Sequence, residues 1–140
     1  MTPNQLFAEL ETASHMVVAT HGRQSPEAAV VSFSYDEALG EIYFASESTT
    51  RKIQNILKNP RVALVIGWGS WTAQLEGEAD ILDGDDRERV IQIHIKRNPG
   101  SSKYASLPTQ RYVRVKIDWA RFTDFRNGEA IHAVQGLKHD

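Results

Sequence analysis

The chain has 140 residues, of which 41% are hydrophobic and 24% are charged, a composition typical of an ordinary globular domain with one core. The formal net charge is −2, so no excess of positive charge attracts nucleic acid or an anionic membrane surface. The absence of cysteine excludes disulfides, thiol catalysis and cysteine metal sites. We expect one domain over residues 1–140. We also expect a cytoplasmic location, because neither a signal-peptide pattern nor a membrane-spanning apolar run is present.

The first predicted element is a short amphipathic helix at the start of the chain. Thr2 can cap it, Pro3 suits its first position, and Gln5 completes a capping box. Its apolar side chains are predicted to face the core: Leu6, Phe7 and Leu10.

Six segments have the composition of β-strands. They span residues 15–21, 28–35, 41–46, 61–67, 71–82 and 112–125. No helix separates the first three segments, which argues against a doubly wound parallel sheet. The pattern predicts a mainly β fold with short flanking helices, arranged as a six-stranded antiparallel barrel of the Greek-key type.

The last two predicted strands alternate clearly between apolar and polar residues. In residues 71–82, Gly77 lies in the middle of the strand on its apolar face, and a glycine there predicts a bulge or a sharp bend. In residues 112–125, one face is predicted to carry Val113, Val115, Ile117 and Trp119.

Two further helices are predicted, and they differ in how their charges are placed. Residues 83–97 begin with acidic residues and end with Lys96 and Arg97, the arrangement that the helix dipole favours. The helix within residues 48–60 instead carries Arg51 and Lys52 in its first turn, where the dipole is positive.

A bound anion would explain this reversed arrangement. Backbone N–H groups, a guanidinium, an ammonium and the hydroxyls of the residues just before them form a phosphate-binding set. The hydroxyl residues are Ser48, Thr49 and Thr50. The alternative is that both cations extend into solvent or pair with an acid such as Glu47.

Other site signatures are absent from the sequence. It contains neither GxxxxGK[ST] nor GxGxxG. The histidines, at positions 15, 21, 94, 132 and 139, show no metal-ligand spacing, so we predict no metal. His94 is interpreted as a packed residue of the 83–97 helix, and His132 and His139 as exposed residues of the tail. No catalytic residue can be named.

The segments "IYFASESTTRKIQNILKNPRVALVIGW" and "WTAQLEGEADIL" resemble the flavin-binding core of the pyridoxamine 5′-phosphate oxidase-like family. The resemblance covers residues 15 to 82. It implies a split β-barrel and FMN as cofactor, bound in a homodimer with the flavin site at the subunit interface.

The resemblance also implies a role for individual residues. Arg51 and Lys52, helped by Thr50, would hold the FMN phosphate. Phe44 and Ala45 would border the ribityl chain. The isoalloxazine ring would lie along Ala29, Val30, Val31 and Ser32, and on the next strand it would meet Thr72 and Gln74.

The chain departs from the family in the substrate region. Ala28 or Ala29 stands where pyridoxamine phosphate oxidases carry an arginine, and "NGEAIHAVQGLKHD" has no counterpart of their C-terminal substrate segment. The expected function is therefore an FMN-dependent oxidoreductase acting on another small molecule, with neither nucleic acid nor membrane as partner. Two alternatives stay open: a non-enzymatic flavin- or haem-binding or sensing protein, and a deazaflavin-dependent reductase.

Overall fold

The computed structural model describes residues 1–137 of the chain. The prediction for His139 concerns a residue outside this range. The described residues form three α-helices, α1 (Pro3–Leu10), α2 (Arg51–Lys58) and α3 (Gly84–Arg97), and a 3-10 helix at Pro99–Tyr104. The strands are β1 (His15–His21), β2 (Pro26–Ser32), β3 (Ser34–Asp36), β4 (Glu41–Glu47), β5 (Arg61–Ile66), β6 (Trp71–Ile81), β7 (Gln110–Asp124) and β8 (Ala130–Ala133).

The strands form one curled antiparallel sheet, a half-barrel, in the order β2-β1-β5-β6-β7-β4-β3, with β8 paired to β7. This confirms the mainly β split-barrel fold. The strand count is eight where the sequence predicts six. The predicted strand 28–35 is divided at the buried Phe33, because β2 pairs with β1 whereas β3 pairs with β4. Strand β8 lies in the tail, and its residues are exposed. Its sequence therefore lacks the alternation of buried apolar and exposed polar residues that predicts a strand.

The main core cluster combines inward-facing side chains of the sheet with apolar side chains of α1. The predicted capping box of α1 is confirmed, because the Gln5 amide donates to the Thr2 hydroxyl at 3.2 Å and the Thr2 amide donates to Gln5 Oε1 at 2.8 Å. The predicted core residues of this helix, Leu6, Phe7 and Leu10, are all buried. A local capping signal and three apolar residues therefore fix where the chain enters the barrel.

The predicted bulge at Gly77 is confirmed and corrects the prediction for Trp119. Gly77 pairs with Ile117 while Glu76 pairs with Trp119, which leaves Asp118 as an extra residue in β7. The extra residue reverses the alternation, so Ala120 is buried and Trp119 is 41% exposed instead of facing the core. A Cβ at Gly77 would overlap the carbonyl oxygen of Lys116, which explains why glycine is needed here.

Within residues 1–137, no helix combines the length and hydrophobicity needed to cross a bilayer.

Candidate functional site

Helix α2 begins at Arg51 without a side-chain cap. The preceding residue, Thr50, has extended backbone angles (φ −65°, ψ 152°), and its hydroxyl does not bond to the helix. That hydroxyl donates instead to the carbonyl of Glu47 at 2.9 Å and lies 2.9 Å from the Ser46 hydroxyl. The first-turn N–H groups of α2 therefore face outward without a capping oxygen, which is the local requirement for binding an anion.

The hydroxyls of Ser48 and Thr49 point elsewhere than predicted. Ser48 Oγ donates to the Glu47 carboxylate at 3.0 Å, and both the hydroxyl and the amide of Thr49 donate to the same carboxylate, the amide at 2.7 Å. These hydrogen bonds, led by that of the Thr49 hydroxyl, lower the pKa of Glu47 to about 2. The two hydroxyls are thus engaged in the turn before the helix, and Glu47 holds that turn in place.

The two cations of α2 share a pocket of about 230 Å³ with the edge of the sheet. The pocket is lined by Val18 and Thr20 of β1, by Glu27, Ala28 and Ala29 of β2, and by Arg51 and Lys52. The structure therefore brings together three of the predicted cofactor-binding residues, Ala29, Arg51 and Lys52, with Thr50 adjoining them at the start of the helix.

Lys52 contributes a positive charge to this pocket that no described acidic side chain balances. It is half-buried, and among the described residues it forms no salt bridge. Burial lowers the pKa of its ammonium, because leaving water penalises the charged form. A half-buried cation at the positive end of a helix dipole, with no acidic partner, is a group that a bound phosphate would stabilise.

Arg51 does have an acidic partner, and it is not the Glu47 that the sequence offered as the alternative. Its Nη1 donates to Glu27 Oε2 at 2.9 Å. Asn55, one turn further along α2, donates from Nδ2 to Glu27 Oε1 at 2.7 Å and to Thr20 Oγ1 at 2.9 Å. Sequence analysis missed Glu27, Asn55 and Thr20. The spacing of Arg51 and Asn55 could have indicated Asn55, because residues four apart lie on the same face of a helix.

The remaining predicted residues of β2 divide between the two faces of that strand. Ala29 and Val31 are half-buried on the pocket side, whereas Val30 is 62% exposed on the opposite side. Ser32 shares the side of Val30 by alternation and lines a separate surface pocket near Lys103.

Val30 belongs to a convex surface that we call the outer sheet face. Pairing across the strands aligns its members into one row of Val30, Val17, Val65, Gln74 and Arg121 and another row of Ala28, Ala19, Ala63, Glu76 and Trp119. Thr72 lies on the same face of β6 as Gln74, and Gln74 Oε1 accepts a hydrogen bond from Arg121 at 2.8 Å. Neither of the predicted residues Thr72 and Gln74 is among the residues that line the pocket at Arg51 and Lys52.

Phe44 and Ala45 lie on the central part of β4. Phe44 is completely buried in the main core cluster, and Ala45 packs against a second cluster around Tyr43 and Tyr112. The structure does not bring either side chain into the pocket at Arg51. Their proposed contact with the ribityl chain stays a prediction.

His94 is a packed residue, as predicted. It is 2% exposed, and its Nδ1 lies 2.8 Å from the Ser34 hydroxyl. Burial lowers the pKa of its imidazole from 6.5 to about 4, which keeps the ring neutral near pH 7. Among the described residues, no three His, Asp or Glu side chains are grouped so as to hold a metal ion.

Comparison with known proteins gives one family match. The family model for pyridoxamine 5′-phosphate oxidase matches residues 2–124. No curated protein matches the chain.

Several solved structures share the fold. A protein of unknown function from Agrobacterium tumefaciens has a TM-score of 0.73 at 22% identity, over 81% of this chain and 52% of that one. A heme binding protein from Mycobacterium smegmatis has a TM-score of 0.75 at 15% identity, over 89% of this chain and 56% of that one. General Stress Protein 26 from Bacillus anthracis has a TM-score of 0.73 at 18% identity, over 86% and 92%. The chain thus spans little more than half the length of the first two, and at these identities the likeness concerns the fold alone.

Proposed function

The chain belongs to the pyridoxamine 5′-phosphate oxidase family, and from that premise we propose that it is an FMN-dependent oxidoreductase acting on a small molecule. The observation that carries the proposal is the pair of cations at the uncapped start of α2, where Lys52 is half-buried and has no acidic partner within residues 1–137. The family typically binds flavin, and the phosphate distinguishes FMN from riboflavin. When bound, the flavin supplies the electron-transfer chemistry.

The proposed task of the protein is to bind and orient the cofactor. Arg51 and Lys52 would hold the phosphate through a guanidinium and an ammonium, together with the free N–H groups of the first turn. Ala29, on the opposite wall of the pocket, has a small side chain that leaves the β2 backbone accessible to a ligand. Because a flavin needs no side-chain acid or base from the protein to carry electrons, we assign no catalytic residue.

The proposal includes a homodimer. A pocket of about 230 Å³ lies below the usual volume range of sites that enclose a whole small molecule, about 300–1,000 Å³. It suits the phosphate end of FMN, and a second surface is needed to cover the rest. The outer sheet face offers contiguous alanine and valine side chains, some half-buried and some exposed, including Val30, which is 62% exposed. Such a patch is typical of an interface between subunits.

Sedimentation velocity at micromolar concentration tests the dimer. We expect a dimer for the natural chain and a monomer for Val30→Glu, which places a charge in the middle of the proposed interface. The matched control is Leu57→Glu, since Leu57 is 64% exposed but lies on α2. A monomeric natural chain that binds FMN tightly would refute this part of the proposal.

Identifying the cofactor tests the function. The purified protein should be yellow, with flavin absorbance bands, and mass spectrometry of the released ligand should give the mass of FMN and not of a deazaflavin. Arg51→Ala should weaken FMN binding by about 1.5–3 kcal/mol, the range for a hydrogen bond to a charged group. Riboflavin binding should hardly change, and equal losses for both ligands would refute the phosphate assignment.

A non-enzymatic haem- or flavin-binding protein is the second candidate. The similarity to the heme binding protein from Mycobacterium smegmatis favours it, together with a pocket of about 350 Å³ in which His21 lies beside Ala19 and Ala63. Imidazole is a common haem ligand. Reconstitution with haem should then give a Soret band that His21→Ala abolishes. Turnover of an electron acceptor with NAD(P)H would instead support the enzyme.

A further inference from the structure

Glu27 is placed by the fold, and its carboxylate lies among the groups proposed to bind phosphate. It stands on β2 opposite Thr20 of β1, and its side chain is 20% exposed. Its two oxygens accept hydrogen bonds from two residues of α2, Oε2 from Arg51 at 2.9 Å and Oε1 from Asn55 at 2.7 Å. The Glu27 carboxylate is therefore an anion of the protein itself at the start of α2, where it pairs with Arg51.

The hairpin turn between β1 and β2 shapes the space for this side chain. A Cβ at Gly22 would lie 2.7 Å from the Glu27 carboxyl carbon and would also overlap the carbonyl oxygen of Ser25. Glycine at position 22 thus lets the Glu27 side chain pack against the turn while its carboxylate points to α2. The hydrogen bonds from Arg51 and Asn55 then hold the carboxylate on the side of α2.

The charges around the pocket indicate how the Glu27 carboxylate affects a bound phosphate. Arg51 and Lys52 together carry two positive charges, and Glu27 offsets one of them. A phosphate monoester brings about −1.5 to −2 charges at pH 7, so the pocket with Glu27 ionised is left with excess negative charge once the ligand is bound. Without the carboxylate, the two cations and the phosphate would nearly balance.

We propose that Glu27 competes with the ligand phosphate for Arg51 and thereby sets how strongly the pocket prefers a phosphorylated ligand. The inference rests on the proposed FMN site and adds to it a residue that controls selectivity. The Arg51 side chain is 76% exposed and uses only Nη1 in its contact with Glu27. Its guanidinium can therefore turn from the carboxylate to a phosphate without disturbing the core, while Asn55 continues to hold Glu27.

Glu27→Gln is the variant that tests the competition. The glutamine oxygen can still accept from Asn55, so shape and packing are kept while the charge is removed. We expect FMN to bind about two- to fivefold more tightly, which is what release of an exposed ion pair provides. Riboflavin affinity should stay unchanged, because riboflavin lacks the phosphate that competes with Glu27 for Arg51.

Two controls separate competition from other effects. Glu129→Gln removes one negative charge from an exposed position, and the same gain in this variant would show a mere net-charge effect and overturn the inference. In the double variant Glu27→Gln/Arg51→Ala the gain should vanish, because the group competed for is gone. A gain that persists without Arg51 would also overturn it.

Fluorescence titration of FMN and riboflavin at fixed ionic strength gives the affinities. Unchanged or weaker FMN binding by Glu27→Gln, with Arg51→Ala still defective, would refute the competition and leave the phosphate site intact. FMN binding by Glu27→Gln but not by the natural chain would support the competition strongly. No FMN binding by either protein would overturn both this inference and the proposed function.

Discussion

Replacing Lys52 by methionine should change stability and ligand binding in opposite directions. In the free protein the ammonium is half-buried at the positive end of α2 and forms no salt bridge within the described residues. Methionine keeps most of the apolar stem and removes the charge. The helix-dipole contribution of one cation is about 0.3–1 kcal/mol, so we expect Lys52→Met to raise the free energy of unfolding by about that amount.

The same change should weaken FMN binding. Loss of one charge-assisted hydrogen bond to the phosphate corresponds to about 1.5–3 kcal/mol, or about 10- to 150-fold in affinity. Riboflavin, which lacks the phosphate, should bind almost as before. Urea denaturation and flavin fluorescence titration measure the two effects separately.

Lys58→Met is the matched control, because Lys58 lies in the last turn of the same helix, where a cation is favourable. This control should lower stability by about 0.3–1 kcal/mol and leave FMN affinity unchanged. If Lys52→Met destabilises the protein, or if it weakens FMN and riboflavin equally, then Lys52 is a packing residue and the phosphate assignment fails.

Three other outcomes are expected. Because burial lowers the pKa of His94 from 6.5 to about 4, the unfolded chain binds a proton that the folded chain does not, and stability should fall by up to about 3 kcal/mol as the pH drops through this window. The free energy of unfolding of His94→Gln, measured by denaturation, should depend less on pH over the same range. An unchanged dependence on pH would contradict the assignment. Gly77→Ala should destabilise the fold by about 1–3 kcal/mol through overlap with the Lys116 carbonyl. The control Gly69→Ala, with open space around position 69, should change the free energy of unfolding by at most about 0.5 kcal/mol. Thermal denaturation of both variants measures the two effects. Pyridoxamine phosphate should hardly be oxidised by FMN-saturated protein, because its phosphate needs a second donor cluster and Ala28 or Ala29 stands in place of an arginine; rapid formation of pyridoxal phosphate would refute this reading.

Features that depend on neighbouring residues in the chain could be predicted from the sequence. The capping box of α1 needs only Thr2 and Gln5, and both hydrogen bonds form. The bulge at Gly77 was indicated by a glycine inside an alternating strand. Arg51 and Lys52 indicate an anion site because their positive charges oppose the dipole of their own helix, which is again a local property.

Features that depend on pairing between distant segments could not be predicted in the same way. The exposure of Trp119 follows from one extra residue, Asp118, whose position is fixed by the partner strand β6. Alternation within β7 alone predicts instead that Trp119 faces the core. Likewise, Glu27 reaches Arg51 only because β2 folds back along β1 and lies against α2, so its role in the pocket is invisible in a search for local motifs.

Strand β2 links the two parts of the proposed site. It is an edge strand of the sheet. Its alternation places Glu27 and Ala29 on the pocket side and Val30 on the outer sheet face, and Ala28 of the outer sheet face also borders the pocket. An edge strand has hydrogen-bond partners on one side only, so packing against a second surface restricts its motion most. A partner subunit on Val30 would therefore hold the backbone that positions Glu27 against Arg51. In the proposed dimer, the strength of the phosphate site and the contact between subunits depend on the same seven-residue strand, because adjacent residues of that strand serve opposite faces.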